Sequence, residues 1–212
     1  MADVILKALK ETLIMVFAST TFAVILGFIP AILLTVTAKD GLRPNKIVYN
    51  VLDFIVNTLR SFPFVILMVI IIPFTRLLVG KTIGTPAAIV PLTIAAAPFV
   101  SRVIESSLRE VDKGVIEAAK AFGASNFQII FKVMLKEAVP SIMSGITLTI
   151  ISIVGYSAMA GTLGGGGLGD VAIRYGYQRF ETDMMVVTCI ILIIVVQILQ
   201  LLGNYFYNRL SK

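Results

Sequence analysis

The chain has no histidine and one cysteine, Cys189, which lies inside an apolar run. That excludes a disulfide framework and the usual His- or Cys-based metal and thiol sites. Most intramembrane hydrolase chemistry loses its base as well, and no pair of carboxylates inside an apolar run stands in for it. Charge is scarce, at 14% of residues, although the balance is basic, with net charge +6 and pI near 9.6. No stretch has the five or more consecutive Lys or Arg of a nucleic-acid-binding tail. The glycine-rich stretch Gly161–Gly169 lacks the Gly-Lys-Ser/Thr ending of a phosphate loop, and no strand precedes it. What remains is apolar. With 58% hydrophobic residues and mean hydropathy +0.96 over 212 residues, the composition is that of a membrane protein with length for one domain.

Five apolar stretches are long enough to cross a hydrocarbon core, which takes about 20 helical residues. Thr12–Val36 runs 25 residues without a charge and lacks a clear small-x-small cleavage site, so it reads as a span rather than a secretory signal. Val48–Phe74 follows a turn-rich loop, Ala38–Lys46, and carries Asp53 and Arg60 seven residues apart on one helical face. Arg60 either snorkels to the interface or lines a path where it meets a substrate carboxylate. Pro63 frees the carbonyl of Leu59, so a broken helix is expected beside that charge. Thr75–Lys81 reads as a short external loop. The third span, Thr82–Ser101, holds Pro86, Pro91 and Pro98, which predicts an irregular helix beginning after Pro86 or Pro91. The fourth, Ala138–Gly161, has a small or hydroxylated residue on most turns, suited to tight packing or a wet path. Six glycines in Gly161–Gly169 then predict a loop outside or dipping into the bilayer. Asp170–Asp183 is an external segment fit to meet a partner protein, and Met184–Tyr207 is the fifth span.

The polar interval 102–137 is where these spans hold chain out in water. Arg102 to Lys113 continue the third span as a charged stem, with Glu105 and Arg109 at i,i+4. Glu117–Phe122 are mostly good helix formers, Gly123 suits a left-handed stop, and Ser125 with Gln128 spells a capping box. Two short helices with a bend are expected, with Val115, Ala119 and Phe122 on one face. Periodicity alone fits an amphipathic helix on the bilayer surface equally well. Lys and Arg number eleven in loops on this side against six on the other, which predicts an external amino terminus and a cytoplasmic carboxyl terminus, although Lys7 and Lys10 pull the other way.

Glu117-Ala118-Ala119, Gly123, Val133 and Leu135 resemble the EAA signature of permease subunits of bacterial ATP-binding-cassette importers. One departure is Lys136, where the pattern usually has proline; the nearest here is Pro140. Arg60-Ser-Phe-Pro63, Ile72-Pro-Phe-Thr-Arg76, Ala88-Ile-Val-Pro-Leu-Thr93, Ala97-Pro-Phe99, Gly155-Tyr-Ser-Ala-Met159, Gly166-Gly-Leu-Gly169 and Tyr175-Gly-Tyr177 are similar to the methionine-importing branch. The resemblance implies an all-α polytopic protein of the type I importer fold, with one transmembrane domain over residues 1–212 in the bacterial inner membrane. It implies a homodimer, two cytoplasmic ATPase subunits that bind ATP and Mg, and an extracytoplasmic methionine-binding protein. No cofactor of its own, no nucleic acid and no enzymatic activity are expected. By the same resemblance Val115, Glu117, Ala118, Ala119, Phe122 and Gly123 dock into the ATPase. Arg60, Phe62, Pro63, Tyr156, Ser157 and Met159 are expected at the translocation path or gate. Import of another amino acid, or a non-transporting scaffold, are the alternatives.

Overall fold

Backbone amides in hydrocarbon have no water to bond, so long apolar runs must be helical there. The structure, a computed structural model, describes residues 2–211, and among them there is no strand. Its helices are α1 (Ala2–Thr37), α2 (Lys46–Arg60), α3 (Phe64–Ile70), α4 (Ile72–Val79), α5 (Thr85–Arg109), α6 (Lys113–Ala121), α7 (Asn126–Gln128), α8 (Leu135–Ala160), α9 (Gly167–Val171) and α10 (Thr182–Leu210). A π-helical turn, Ile129–Met134, joins α7 to α8, and another, Ala172–Tyr177, extends α9. Four helical stretches are long and apolar enough to cross a membrane: α1, α5, Asn126–Gly165 and α10. The pair α2 and α3, bent by 99° at its break, makes a fifth span when taken together.

Several boundaries differ from the sequence reading. The expected span Val48–Phe74 is divided: α2 stops at Arg60 and α3 starts after Pro63, which has no N–H to continue the ladder. Ser61 absorbs part of the break, its hydroxyl bonding the Asn57 carbonyl at 2.9 Å. Thr75–Val79 is helix rather than loop, because Pro73 sits in the first turn of α4 and Gly80 closes it with φ +74°. The third span starts at Thr85, before its prolines, since Pro86 occupies a first-turn position where no N–H is needed. Pro91 and Pro98 are accommodated inside a continuous α5, which extends to Arg109 as the charged stem.

Helices in lipid gain nothing from burying apolar surface against one another, so cohesion comes from close packing and internal hydrogen bonds. The buried face of α1 carries a line of small residues: Ala8, Thr12, Ser19, Ala23, Gly27 and Ala31 recur at spacings of four and seven. It lies along α5. A methyl on Gly27 would stand 2.6 Å from the Ala97 carbonyl oxygen, and Ser101 donates to the Gly27 carbonyl at 2.9 Å. The opposite faces of α1 and α10, with Phe17, Phe22, Ile25, Ile190, Ile194 and Leu201, are exposed as a lipid-facing surface. At about 1.5 Å per residue α1 is about 54 Å long, well beyond a hydrocarbon core of about 30 Å. Its first turns, with Lys7 and Glu11, therefore project past the core.

The loops sort into two ends. Arg109 reaches Asp40 at 3.3 Å, and Tyr207 shares a cavity with Glu110, so the α1–α2 loop, the α5–α6 turn and the carboxyl-terminal part of α10 lie together. Gly84 bonds Gly164 at 2.8 Å and Glu11 accepts from Gly167, which gathers the other loops at the far end.

There the glycine stretch is more structured than a loop. Leu163 and Gly164 leave helical geometry, Gly166 and Gly167 take φ of +80° and +82°, and the chain doubles back into α9. A methyl on Gly169 would come within 2.3 Å of the Ala158 carbonyl oxygen, so α9 crosses the end of α8 at backbone contact. Gly155 has open space beside it. Gly169→Ala should therefore lower detergent-solution stability by about 1–3 kcal/mol through overpacking, whereas Gly155→Ala is tolerated; paired thermal-unfolding curves check the contrast.

Candidate functional site

Two regions carry polar chemistry against the apolar background. The first is the segment between α5 and α8. Asp112 caps α6, its carboxylate accepting from the Gly114 and Val115 amides at 2.6 and 3.3 Å, where the helix dipole also favours a negative charge. Gly123 ends the helix at φ +78°, and the Ala124 amide reaches back to the Ala119 carbonyl at 3.0 Å. The chain restarts through the capping box: Gln128 N–H to Ser125 Oγ at 3.3 Å and Ser125 N–H to Gln128 Oε1 at 2.8 Å. From there helix runs unbroken through Lys136 into α8, with Pro140 inside it.

No side chain of α6 is fully buried, and Phe122 is 91% exposed. Val115, Glu117 and Ala118 are exposed too, and Phe127 is two-thirds exposed beyond the bend. Glu117 borders a cavity of about 270 Å³ that also meets Asp40, Arg109, Lys113 and Lys120. Val115, Ala119 and Phe122 share one side of α6 and its cap, but only Val115 and Phe122 are exposed. Ala119 turns inward with Ile116 to pack on the core, because the i,i+3 stripe of a nine-residue helix lying on the bundle is its inner edge. Aromatic bulk left in water this way is unusual without a partner.

The second region is a cavity of about 260 Å³ where the end of α2 meets α5 and α8. Arg60 lines it, with its guanidinium carbon 5.6 Å from the centre of the Phe99 ring, a cation–π distance. Tyr156 forms another wall and stacks on Phe64, ring centres 5.0 Å apart and planes 16° from parallel. Thr149 and Ser152 complete a polar side; each hydroxyl donates to the carbonyl four residues back, leaving oxygen lone pairs free. Of the expected path residues, Arg60 and Tyr156 are brought together. Pro63 caps α3 at the break, and Phe62 is exposed beside it. Ser157 is buried on its own helix, bonding Val154 at 2.7 Å, and Met159 is exposed outside this cavity. Phe64 and Phe99 were missed because nothing beside either ring in the sequence signals that Phe64 will stack on Tyr156 or that Phe99 will meet Arg60 from another helix.

At the far end, Glu11 and Thr12 of α1 act as remote caps for α9, accepting from the Gly167 and Leu168 amides at 2.9 Å each. Asp170 bonds Arg174, which raises the Arg174 pKa further. Tyr177 and Phe180 stand out as exposed aromatics in the segment expected to be external.

Against known proteins, the family model described as the binding-protein-dependent transport system inner membrane component matches residues 23–212. The chain belongs to this family. It is 50% identical over 210 residues, 99% of this chain and 93% of the relative, to a protein of Vibrio cholerae named a probable D-methionine transport system permease protein, MetI. It is 46% identical over 180 residues, 85% of this chain and 81% of the relative, to the methionine import system permease protein MetP of Bacillus subtilis. A solved structure described as inward-facing conformations of the MetNI methionine ABC transporter superposes with TM-score 0.98 at 42% identity, covering 100% of this chain and 98% of that one. The fold is therefore the all-α type I importer permease fold, and the chain is a membrane transport subunit rather than an enzyme. Ser125→Ala removes one half of the capping box, worth about 1 kcal/mol, so hydrogen exchange at the Gln128 amide should quicken about fivefold; an unchanged rate refutes the cap's role.

Proposed function

We propose that this chain is the permease subunit of an ATP-driven, binding-protein-dependent importer of methionine, in its D form, its L form or both. The observation that carries the reading is 50% identity across nearly the whole chain to a permease named for D-methionine transport. In this reading two copies form the path in a bacterial inner membrane, with the amino terminus outside and the carboxyl terminus in the cytoplasm. The lysine and arginine bias supports that orientation. ATP and Mg belong to two partner ATPase subunits, and an external binding protein delivers methionine to the end that holds α9. The whole of residues 1–212 acts as one transmembrane domain, with 102–137 as the coupling segment.

Energy reaches the path through α6. Exposed Val115, Ala118 and Phe122 form the knob that sits in the ATPase, Glu117 supplies its charge, and Gly123 sets the bend. ATP closes the ATPase pair and draws the two docked segments together. The spans tilt, and the path opens outward; hydrolysis returns it to facing inward. Within the path the Arg60 cavity suits a small zwitterion. A guanidinium binds carboxylate through parallel charge-assisted hydrogen bonds, and a thioether packs favourably at the edge of aromatic rings such as Tyr156 and Phe99. Phe62, Pro63, Ser157 and Met159 flank the break and the outer end of α8, where they act as gate elements. Import of a different amino acid is the second reading, since a guanidinium and two rings suit other apolar side chains.

The deciding experiment is uptake of labelled methionine in cells that lack their own high-affinity system, with this chain expressed beside its ATPase and binding protein. Uptake that requires ATP and is competed by methionine but not by polar amino acids is expected. Transport of another amino acid would discard the methionine reading, and no transport by a well-expressed complex would discard import. Glu117→Lys should leave a folded dimer with ATPase activity uncoupled from transport, and normal uptake would refute the docking assignment. Arg60→Ala should reduce uptake about tenfold or more, the loss of one charge-assisted hydrogen bond; unchanged uptake at equal expression would return Arg60 to a snorkelling role.

A further inference from the structure

Val56 is the only fully buried side chain of α2, so apolar packing is not what holds this helix to the bundle. Its attachment is a row of polar contacts. Tyr49, Asp53, Asn57 and Arg60 follow one another at spacings of four, four and three, which places them on one face. Opposite them on α5 stand Arg109, Glu105, Arg102 and Phe99, spaced four, three and three, in reverse order. The rungs meet. Tyr49 donates to Glu105 at 3.5 Å; Asp53 pairs with Arg102, whose guanidinium also donates to Asn57 at 3.0 Å; Arg60 lies over Phe99.

The two ends of this ladder are the two sites already described. At the inner end Glu105, only 3% exposed, takes both Arg102 at 2.6 Å and Arg109 at 3.6 Å. Arg109 continues to Asp40 at 3.3 Å, and Asp40 meets Lys113, the first residue of α6, at 3.8 Å. At the outer end the last rung is the wall of the Arg60 cavity. From Asp53 to Lys113 three acidic and three basic side chains alternate, so each of these charges has an opposite neighbour, while Arg60 at the outer end rests on the Phe99 ring. Sliding α2 along α5 would part Asp53 from Arg102 and break the Tyr49–Glu105 and Asn57–Arg102 hydrogen bonds at once in partly buried surroundings, and helices held this way move as one body.

We propose that Arg102 is the positioning residue of a polar ladder through which displacement of the docking helix α6 sets the place of Arg60 in the cavity. It touches neither ATP nor substrate and acts by gripping Asp53 and Asn57 on one side and Glu105 on the other. The proposal rests on the import reading above and gives it a second conduit, distinct from the direct run of helix from the bend into α8.

The test uses the complete transporter, with ATPase and binding protein, in proteoliposomes, measuring uptake and ATP hydrolysis on the same sample. Asp53→Asn keeps the shape of the rung and removes its charge. Transport per ATP should fall about tenfold while hydrolysis persists, within the usual range of coupling free energies. Arg102→Lys, which keeps the charge and loses the fork, should give an intermediate ratio. Adding Asp53→Asn to Arg102→Gln should cost no more than Arg102→Gln alone, since the two act as a unit. Phe54→Leu, on the exposed face of α2, should leave the ratio unchanged. If uptake and hydrolysis fall in proportion in Asp53→Asn, or the ratio stays at that of the unsubstituted complex, the ladder is only a brace and the proposal is overturned. Absence of uptake in the unsubstituted complex would overturn the import reading itself, and the ladder's role with it.

Discussion

In hydrocarbon a freed amide or carbonyl has nothing to bond but protein, and the departures from simple helix in this chain are shaped by that constraint. Where α2 breaks, the hydroxyl and amide of Ser61 fold back onto Asn57 and Thr58. Where α8 gives way to the glycine turn, Glu11 and Thr12 reach across from α1 to take the amides that begin α9. Serine and threonine hydroxyls inside the spans mostly return to their own helix, and Ser101 crosses to α1. The irregular positions are therefore held by named partners. They can bend a span without opening it to lipid.

The same constraint explains the division of labour between helices. α1 and α5 approach closely because glycine and alanine line their contact, which gives the fold a stiff pair at its centre. α10 buries only Met184, Thr188, Val195 and Gly203 and turns most of its surface outward. α2 is attached by charge. A low-dielectric setting makes such an attachment specific, because each ion has few alternative partners and leaving one unpaired is expensive.

How far the sequence foretold this depends on the distance over which each feature is decided. Spans, stem and bend were legible because hydropathy, charge and capping act within a few residues. Ser125 and Gln128 spell their box in four letters, and Gly123 took the left-handed turn that its type suggests. Proline was read correctly at Pro63 and too pessimistically at Pro86, Pro91 and Pro98, since a first-turn proline costs nothing and continuous packing carries the other two. The far-reaching contacts were not legible. Arg102 finds Asp53 across 49 residues and Glu11 finds Gly167 across 156, and nothing local marks either pair. The cavity wall from Phe99 and the stacking of Phe64 on Tyr156 belong with them, as does the inward turn of Ala119, which follows from the bundle beneath α6 rather than from α6 itself.

The exposed Phe122 and Phe127 also bear on how much of this chain a cell can hold. Bulky rings in water are what chaperones and quality-control proteases recognise, and only whatever covers them removes the signal. Copies made in excess of that cover stay marked, so the two rings at this bend double as a gauge of whether it is covered.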